Sequence, residues 1–257
     1  MRLAKRGALF ATLILAACQN ETAAPPPASQ PRAVWPAHGV DLAIDASDVL
    51  NELQTRRIDF VARYYRHPES RWPALSPQEA RRLASLGVKL VALWEWHSAR
   101  PAYFSYASGY ADAISAYRQA RGIGQPPDSA IYFAVDFNAQ GAALDAVRQY
   151  FAGVSAGLAA AGGGKPPYKV GVYGSGAVCD AVKRAGLAQY SWLSNSTAWD
   201  GSLAYRGWDI RQVGRWAGLS FDHDADEARD EYGGFRLAVE ASSGGPPPHD
   251  AVAQAPR

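Results

Sequence analysis

The chain has 257 residues, with 26 lysines and arginines against 24 aspartates and glutamates, for a formal charge of +2. Charge this close to neutral offers no electrostatic footprint for nucleic acid, so a nucleic-acid partner is set aside. A chain of this length can bury an ordinary core without disulfide staples.

Residues 1–17 have the layout of a signal segment. Arg2, Lys5 and Arg6 make a basic flank, and residues 8–17 form an apolar run too short to span a bilayer as a helix. The run ends Leu15-Ala16-Ala17-Cys18, which resembles the lipobox of bacterial lipoproteins. That resemblance implies cleavage before Cys18, lipidation of its sulfur and nitrogen, and an exported protein held to an envelope membrane by its N-terminal lipid. Several acyl chains, at about 0.8 kcal/mol per buried methylene, make a lasting anchor. Losing the three basic residues of the flank brings the formal charge to −1, and a lipidated Cys18 leaves Cys179 with no disulfide partner. Residues 18–35 are a proline- and alanine-rich tether, and residues 241–257, of similar composition, are expected to be a disordered tail. Residues 36–240 remain as one domain, expected to be monomeric.

Within that block, apolar runs alternate with amphipathic stretches. Residues 40–44 (VDLAI) predict a strand and residues 48–56 a short helix with Leu50 and Leu53 inward. Residues 58–65 (IDFVARYY) predict the second strand. Ser76-Pro77-Gln78-Glu79 spells a capping box with proline at the first helical position, opening a helix that Gly87 terminates. Residues 88–94 are the third strand, and residues 109–121 a helix stopped by Gly122 and Gly124. Residues 130–136 (AIYFAVD) are the fourth strand, an unbroken apolar run of the kind a parallel sheet buries on both faces. A long helix follows, with Leu144, Val147, Phe151, Val154 and Leu158 on one stripe. Residues 169–173 predict the fifth strand and 177–185 a helix; shorter strands are expected at 190–194, 208–213 and 219–222. Strands alternating with helices imply an α/β fold with a parallel sheet. Eight of them predict a (β/α)8 TIM barrel with shortened or missing helices towards the C-terminus. An open doubly wound sheet is the competitor, but no Gly-x-Gly-x-x-Gly fingerprint follows the first strand.

In such a barrel the carboxyl ends of the strands meet at one mouth. Asp41 and Asp45 flank the first strand, Glu95 follows the third, Asp136 ends the fourth, and Asp222 and Asp224 end the eighth. Arg63, Tyr64, His97, Asn138, Tyr173, Asn195 and Gln212 fall at matching places, with Trp94, Trp96, Trp192 and Trp208 on or beside them. Carboxylates among aromatic rings suit a sugar, which offers an apolar face to stack and hydroxyls to bond. Paired carboxyl groups also suit glycosidic cleavage, one protonating the leaving oxygen and one stabilising the positive ring. Each acid has a structural alternative: Asp41 as a turn former, Glu95 as a partner of Arg63, and residues 222–230 as a solvated loop. No metal is expected, since the acidic loop lacks the regular oxygen spacing of a calcium site and His223 has no His-x-x-x-His partner. Gly174-Ser175-Gly176 lacks the Gly-x-Ser-x-Gly elbow of a serine nucleophile. No cofactor is implied.

Gly39-Val40-Asp41, Asp59-Phe60-Val61-Ala62-Arg63-Tyr64, Leu75-Ser76 ahead of Glu79-Ala80, Ile131-Tyr132-Phe133-Ala134-Val135-Asp136 and Gly171-Val172-Tyr173-Gly174 together resemble one bacterial family. It is the glycoside-hydrolase-like domain designated domain of unknown function 1906, similar in turn to the family-25 glycoside hydrolases, the lysozyme-type muramidases. The resemblance spans most of residues 38–226 and implies a barrel with incomplete helices. It matches Asp41 to the aspartate on the muramidases' first strand. Their fourth strand ends Asp-x-Glu, with the glutamate as proton donor. Asp136 stands for one of these acids, and either Ala134 or Asn138 occupies the place of the other, so one carboxylate is missing. Asp222-His223-Asp224 resembles their late Asp-x-Asn, and Gln212 the glutamine of the preceding strand.

The expectation is therefore an envelope glycoside hydrolase acting on peptidoglycan or a related glycan. Asp136 would be the general acid, Asp41, Glu95 or Asp222 the base or charge stabiliser, and Arg63, Tyr173, Trp96, Trp192, Gln212 and Asp224 the residues that hold the sugar. The missing carboxylate keeps a second expectation open, a non-catalytic barrel that binds cell-wall glycan.

Overall fold

Strands and helices alternate from Ala37 onward, and the strands close on themselves. The computed structural model describes residues 36–238, so the signal segment, Cys18, the tether and the tail lie outside the described residues. Eight strands form a closed barrel in sequence order: β1 (Ala37–Leu42), β2 (Phe60–Arg66), β3 (Lys89–Glu95), β4 (Ala130–Ala134), β5 (Lys169–Gly174), β6 (Tyr190–Leu193), β7 (Ile210–Gly214) and β8 (Asp224–Ala228). Helices follow the first five: α1 (Leu50–Thr55), α2 (Pro77–Ser85), α3 (Tyr106–Ile123), α4 (Gly141–Ala161) and α5 (Gly176–Arg184). The links after β6 and β7 carry no helix. The molecule is thus a (β/α)8 barrel that sheds its helices towards the C-terminus.

Successive strands from β1 to β7 pair in parallel, but β8 runs antiparallel to both β7 and β1. A parallel return needs a crossover of a dozen or more residues, and the link from Gly214 to Asp224 is too short for one. The chain turns back as a hairpin instead. The strand expected at residues 219–222 is irregular chain following a turn at residues 217–218, and the eighth strand occupies the acidic stretch after it. The first strand also starts and ends earlier than expected.

The helix boundaries have local causes. Ser76 caps α2 by accepting from the Glu79 N–H at 3.0 Å, with Pro77 behind it. The reciprocal half of that expected capping box is absent, because the Glu79 carboxylate is engaged elsewhere. Helix α3 starts three residues before the expected Gly109, where Ser105 and Ser108 form a capping box of their own. Gly122 lies inside this helix, and Gly124 ends it in the left-handed conformation at φ 80.

Alternation along the strands divides the core in two. Val40, Leu42, Val61, Leu90, Ile131, Phe133 and Val172 face outward against the helices, while Phe60, Ala62, Val91, Leu93, Tyr132 and Trp192 fill the lumen. Large rings fit the lumen because glycines face them: a Cβ at Gly39 would come within 2.2 Å of the Phe60 ring, and one at Gly171 within 2.4 Å of the Tyr132 ring.

Helices α3 and α4 approach backbone to backbone. A Cβ at Gly153 would sit 2.1 Å from the Tyr106 carbonyl oxygen, and one at Gly109 would sit 2.0 Å from that of Tyr150. Gly153→Val forces the helices apart and should cost about 1–3 kcal/mol or more. Urea unfolding checks this, and an unchanged midpoint would rule out the close approach. Cys179 on α5 is fully buried, and burial raises its thiol far above the ordinary range. Peptide mapping after thiol alkylation should find Cys179 unlabelled in native protein and labelled once the chain is unfolded.

Candidate active site

The strand residues that point into the lumen continue upward to the mouth. Asp41 comes from β1, Tyr64 and Arg66 from β2, Glu95 from β3, Tyr173 from β5, and Gln212 from β7. Asp136 follows two residues after β4, on the same alternation. Because β8 is antiparallel, it is its first residue, Asp224, that reaches the mouth, where it stands directly opposite Asp41 in register. Like charges placed opposite each other on neighbouring strands oppose folding, so this pair is a feature the barrel tolerates at a cost.

A hydrogen-bonded network organises these groups. The Tyr64 hydroxyl donates to Asp41 Oδ1 at 2.6 Å, and the Gln212 amide donates to Asp41 Oδ2 at 2.9 Å and to Asp224 Oδ2 at 3.4 Å. Gln212 is oriented by its own carbonyl oxygen, which accepts from the Tyr173 hydroxyl at 3.1 Å and from the Asn195 N–H at 3.2 Å. On the other side, Glu95 forms an ion pair with Arg66 and accepts from the Ser98 hydroxyl at 3.1 Å. The Arg66 guanidinium lies over the Tyr64 ring, 4.1 Å from its centroid. The Asp136 N–H donates to the Ser98 carbonyl at 2.9 Å, which fixes the backbone from which this acid projects. A cleft of about 690 Å³ opens here, lined by Tyr64, Arg66, Glu95, Trp96, His97 and Asp136 among others.

Crowded acids and burial raise the carboxyl pKa values together. Asp41 is pushed up to about 7, chiefly by burial, against the hydrogen bonds from Tyr64 and Gln212 and with further help from Asp224 and Glu95. Half-buried Asp136 is raised by burial first and then by the negative charges of Glu95 and Asp224. Asp224 is raised by burial and by Asp222. Beneath them, Asp226 on β8 is raised strongly by burial and by Asp41, while it accepts from the Trp192 indole N–H at 2.9 Å. A carboxyl that still holds its proton near neutral pH is what a general acid requires.

Not every expected residue arrives here. Asp222 is exposed in an ion pair with Arg215, whose guanidinium it accepts from at 2.6 Å, and takes no part in the network. Arg63 sits one residue out of phase with the lumen: it is fully buried against the helices, bonded to Glu79 and to the Leu42 carbonyl, and cannot reach a ligand in the cleft. The partner of Glu95 is accordingly Arg66 and not Arg63. Trp192 is fully buried inside the lumen, so it supports Asp226 rather than offering a face to a sugar. Asp45 caps the short turn after β1. Asn138 is exposed and accepts from the Asp200 N–H at 2.9 Å, so its amide belongs to a loop contact. His223 is buried and accepts from the Trp216 N–H at 3.0 Å.

Sequence reasoning passed over Asp226, Arg66 and Trp72. The alternation in Asp224-Ala225-Asp226-Glu227-Ala228 was the available signal for Asp226, hidden by the expectation that a barrel strand be apolar. Trp72 is 47% exposed at the edge of the cleft. Trp96 stacks on His67 at 4.5 Å and also packs against His97. Among the described residues no group of histidines, cysteines and acids is placed to hold a metal ion.

A closed eight-stranded barrel with carboxyl groups gathered at one mouth has the architecture of a glycoside hydrolase. The chain belongs to the family described as the Rv2525c-like, glycoside hydrolase-like domain, which matches residues 51–242. It is 32% identical to YbfG of Bacillus subtilis over 157 residues and 31% identical to FadG of the same organism over 133 residues. These matches take in 56% and 51% of this chain but 21% and 23% of those proteins, so the chain spans about a fifth of the length of the curated relatives it matches. Among solved structures, the fold is shared with the Tat-secreted protein Rv2525c of Mycobacterium tuberculosis at a TM-score of 0.63 and 19% identity, covering 77% of this chain and 98% of that one. It is also shared with the modular autolysin LytC of Streptococcus pneumoniae, solved with a synthetic peptidoglycan ligand, at a TM-score of 0.52 and 12% identity over 75% of this chain and 46% of that one.

Proposed function

We propose that the protein is an envelope glycoside hydrolase acting on peptidoglycan or a related glycan, exported and held to a membrane through a lipid on Cys18. The observation that carries this reading is Asp136, a half-buried carboxyl in a sugar-sized cleft whose pKa is raised by burial and by the charges of Glu95 and Asp224. Asp136 donates its proton to the glycosidic oxygen as the bond from the anomeric carbon to that oxygen breaks. The positive charge left on the sugar ring is stabilised by the Asp41–Asp224 pair, and water completes the hydrolysis. Glu95, bound to Arg66, adds negative charge beside Asp136. Tyr173 and Gln212 position the acids, and Trp96 and exposed Trp72 offer apolar surface to a sugar ring. Export and a cell-wall substrate draw support from the company the fold keeps, a Tat-secreted protein and a peptidoglycan-binding autolysin. The test is release of reducing ends from purified peptidoglycan by wild type and by Asp136→Asn. Release by wild type alone is expected. Retention of the glycan by both proteins, with no new reducing ends, would make this a binding barrel instead.

A further inference from the structure

Asp226 has no exposed surface and lies in the middle of β8, below the mouth. Its Oδ1 accepts from the Trp192 indole N–H at 2.9 Å, while its Oδ2 is buried with no donor to satisfy it. The neighbouring acid, Asp41, is differently placed: one of its oxygens accepts from Tyr64 and the other from Gln212. Asp41 stands on the neighbouring strand, and after burial it is the group that acts most strongly on Asp226. Two ionised carboxylates side by side are acceptors only and repel, so a buried oxygen without a donor is relieved when one of the two groups carries a proton. The group with the unsatisfied oxygen, the deeper burial and the single neutral donor is Asp226.

We propose that Asp226 is a neutral carboxylic acid whose Oδ2–H donates to Asp41, which makes it a positioning residue that fixes the orientation and the charge of the Asp41 carboxylate. Every strand around the lumen is consistent with this state. The groups facing the pair are Tyr64 on β2, Glu95 on β3, Asp136 after β4, Tyr173 on β5, Trp192 on β6, Gln212 on β7 and Asp224 on β8. Among these are three further acids and no cation; the nearby guanidinium, Arg66, is engaged by Glu95. An ionised Asp226 would be an uncompensated charge in a dry lumen, and burial of that kind drives a group to its neutral form. The role this gives Asp41 rests on the hydrolase reading, whereas the proton on Asp226 stands whether or not the protein turns over a glycan.

The sign of the linked stability follows. Asp226 keeps its proton in the folded protein at pH values where an unfolded aspartate, with a pKa of about 3.9, has lost its own. Stability is therefore greatest below that value and is lost as pH rises towards the folded-state value. The folding constant falls by up to about tenfold per pH unit for each proton held only by the folded chain. Asp226→Asn keeps the shape, donates to Asp41 through its amide and accepts from Trp192 through its carbonyl, but has no proton to lose. Asp226→Ala has neither bond.

The experiment is thermal and urea unfolding of the full chain from pH 4 to 8 for wild type and both variants, with infrared spectra in the un-ionised carboxylic acid region. Expected are a stability advantage of Asp226→Asn that widens with pH, a loss at every pH for Asp226→Ala, and an acid carbonyl band near neutral pH that loses intensity in Asp226→Asn. A constant penalty for Asp226→Asn across the range, with the band unchanged, would overturn the proton assignment. On peptidoglycan, Asp226→Asn should retain turnover while Asp226→Ala lowers kcat more than it changes KM. Equal turnover by all three forms would overturn the positioning role and leave the proton in place; no turnover by any, wild type included, would remove the hydrolase reading and the role with it.

Discussion

Replacing Glu79 by alanine is expected to lower the free energy of unfolding by roughly 3–5 kcal/mol, a large fraction of an ordinary domain's total stability. Glu79 is buried on the first turn of α2, where its carboxylate receives the Arg63 Nε–H at 2.5 Å, a second Arg63 N–H at 3.2 Å and the backbone N–H of Ala46 at 2.9 Å. One side chain thus ties α2 to β2 and to the turn that follows β1. Truncation leaves the Arg63 guanidinium in the dry layer between barrel and helices with only the Leu42 carbonyl as a partner. The penalty comes from that stranded charge, not from the intrinsic strength of the pair. Changing both partners to apolar residues of similar volume should therefore cost much less than Glu79→Ala alone. Urea denaturation of the two variants decides the matter. Equal losses for the single and the double replacement would mean that packing, and not the unpaired cation, sets the cost.

Asp136→Asn is expected to reduce kcat on a susceptible glycan by about 10²–10⁴-fold, the usual contribution of a positioned general acid. The pH profile carries further information. As the proposed general acid, Asp136 would act only while protonated, so wild-type activity is expected below its folded pKa and lost as pH rises through it. Burial, then Glu95 and Asp224, place that alkaline limb above the ordinary aspartate range. Glu95→Gln removes one of the negative charges and frees the Arg66 cation it had held. Both changes favour ionised Asp136, so the alkaline limb should shift to lower pH. A limb that stays where it was in Glu95→Gln, while Asp136→Asn is inactive, would assign the limb to another group. Asp41, pushed up to about 7, is the alternative.

The barrel could be read from the order of its residues because the signals are local. Apolar runs such as 130–135, the serine cap at 76, and the stripe of Val147, Phe151, Val154 and Leu158 each obey rules set within a few residues. Eight alternating units of that kind leave few ways to bury every apolar face. Where the outcome differed, a distant partner overrode the local preference. Glu79 left its capping box for a buried arginine from β2. The eighth strand formed in Asp224–Ala228, against the apolar expectation, because β1 and β7 both needed a neighbour and a short link could supply only an antiparallel one.

The site was legible in part for the same reason. Strand ends pointed to Asp41, Glu95, Asp136, Asp224, Tyr173 and Gln212, and these do share one mouth. Arg63, Trp192 and Asp222 were expected at the same strand ends, and one step of strand phase, or one turn of loop, sends each elsewhere. Which face a strand residue takes depends on where the ring closes, and the proton between Asp41 and Asp226 depends on two strands meeting from opposite ends of the domain. Residue order by itself determined a barrel with acids near its strand ends. Only the closed ring decided which acids are dry, which are paired and which still hold a proton, because desolvation and charge repulsion act through space between groups that the chain keeps far apart.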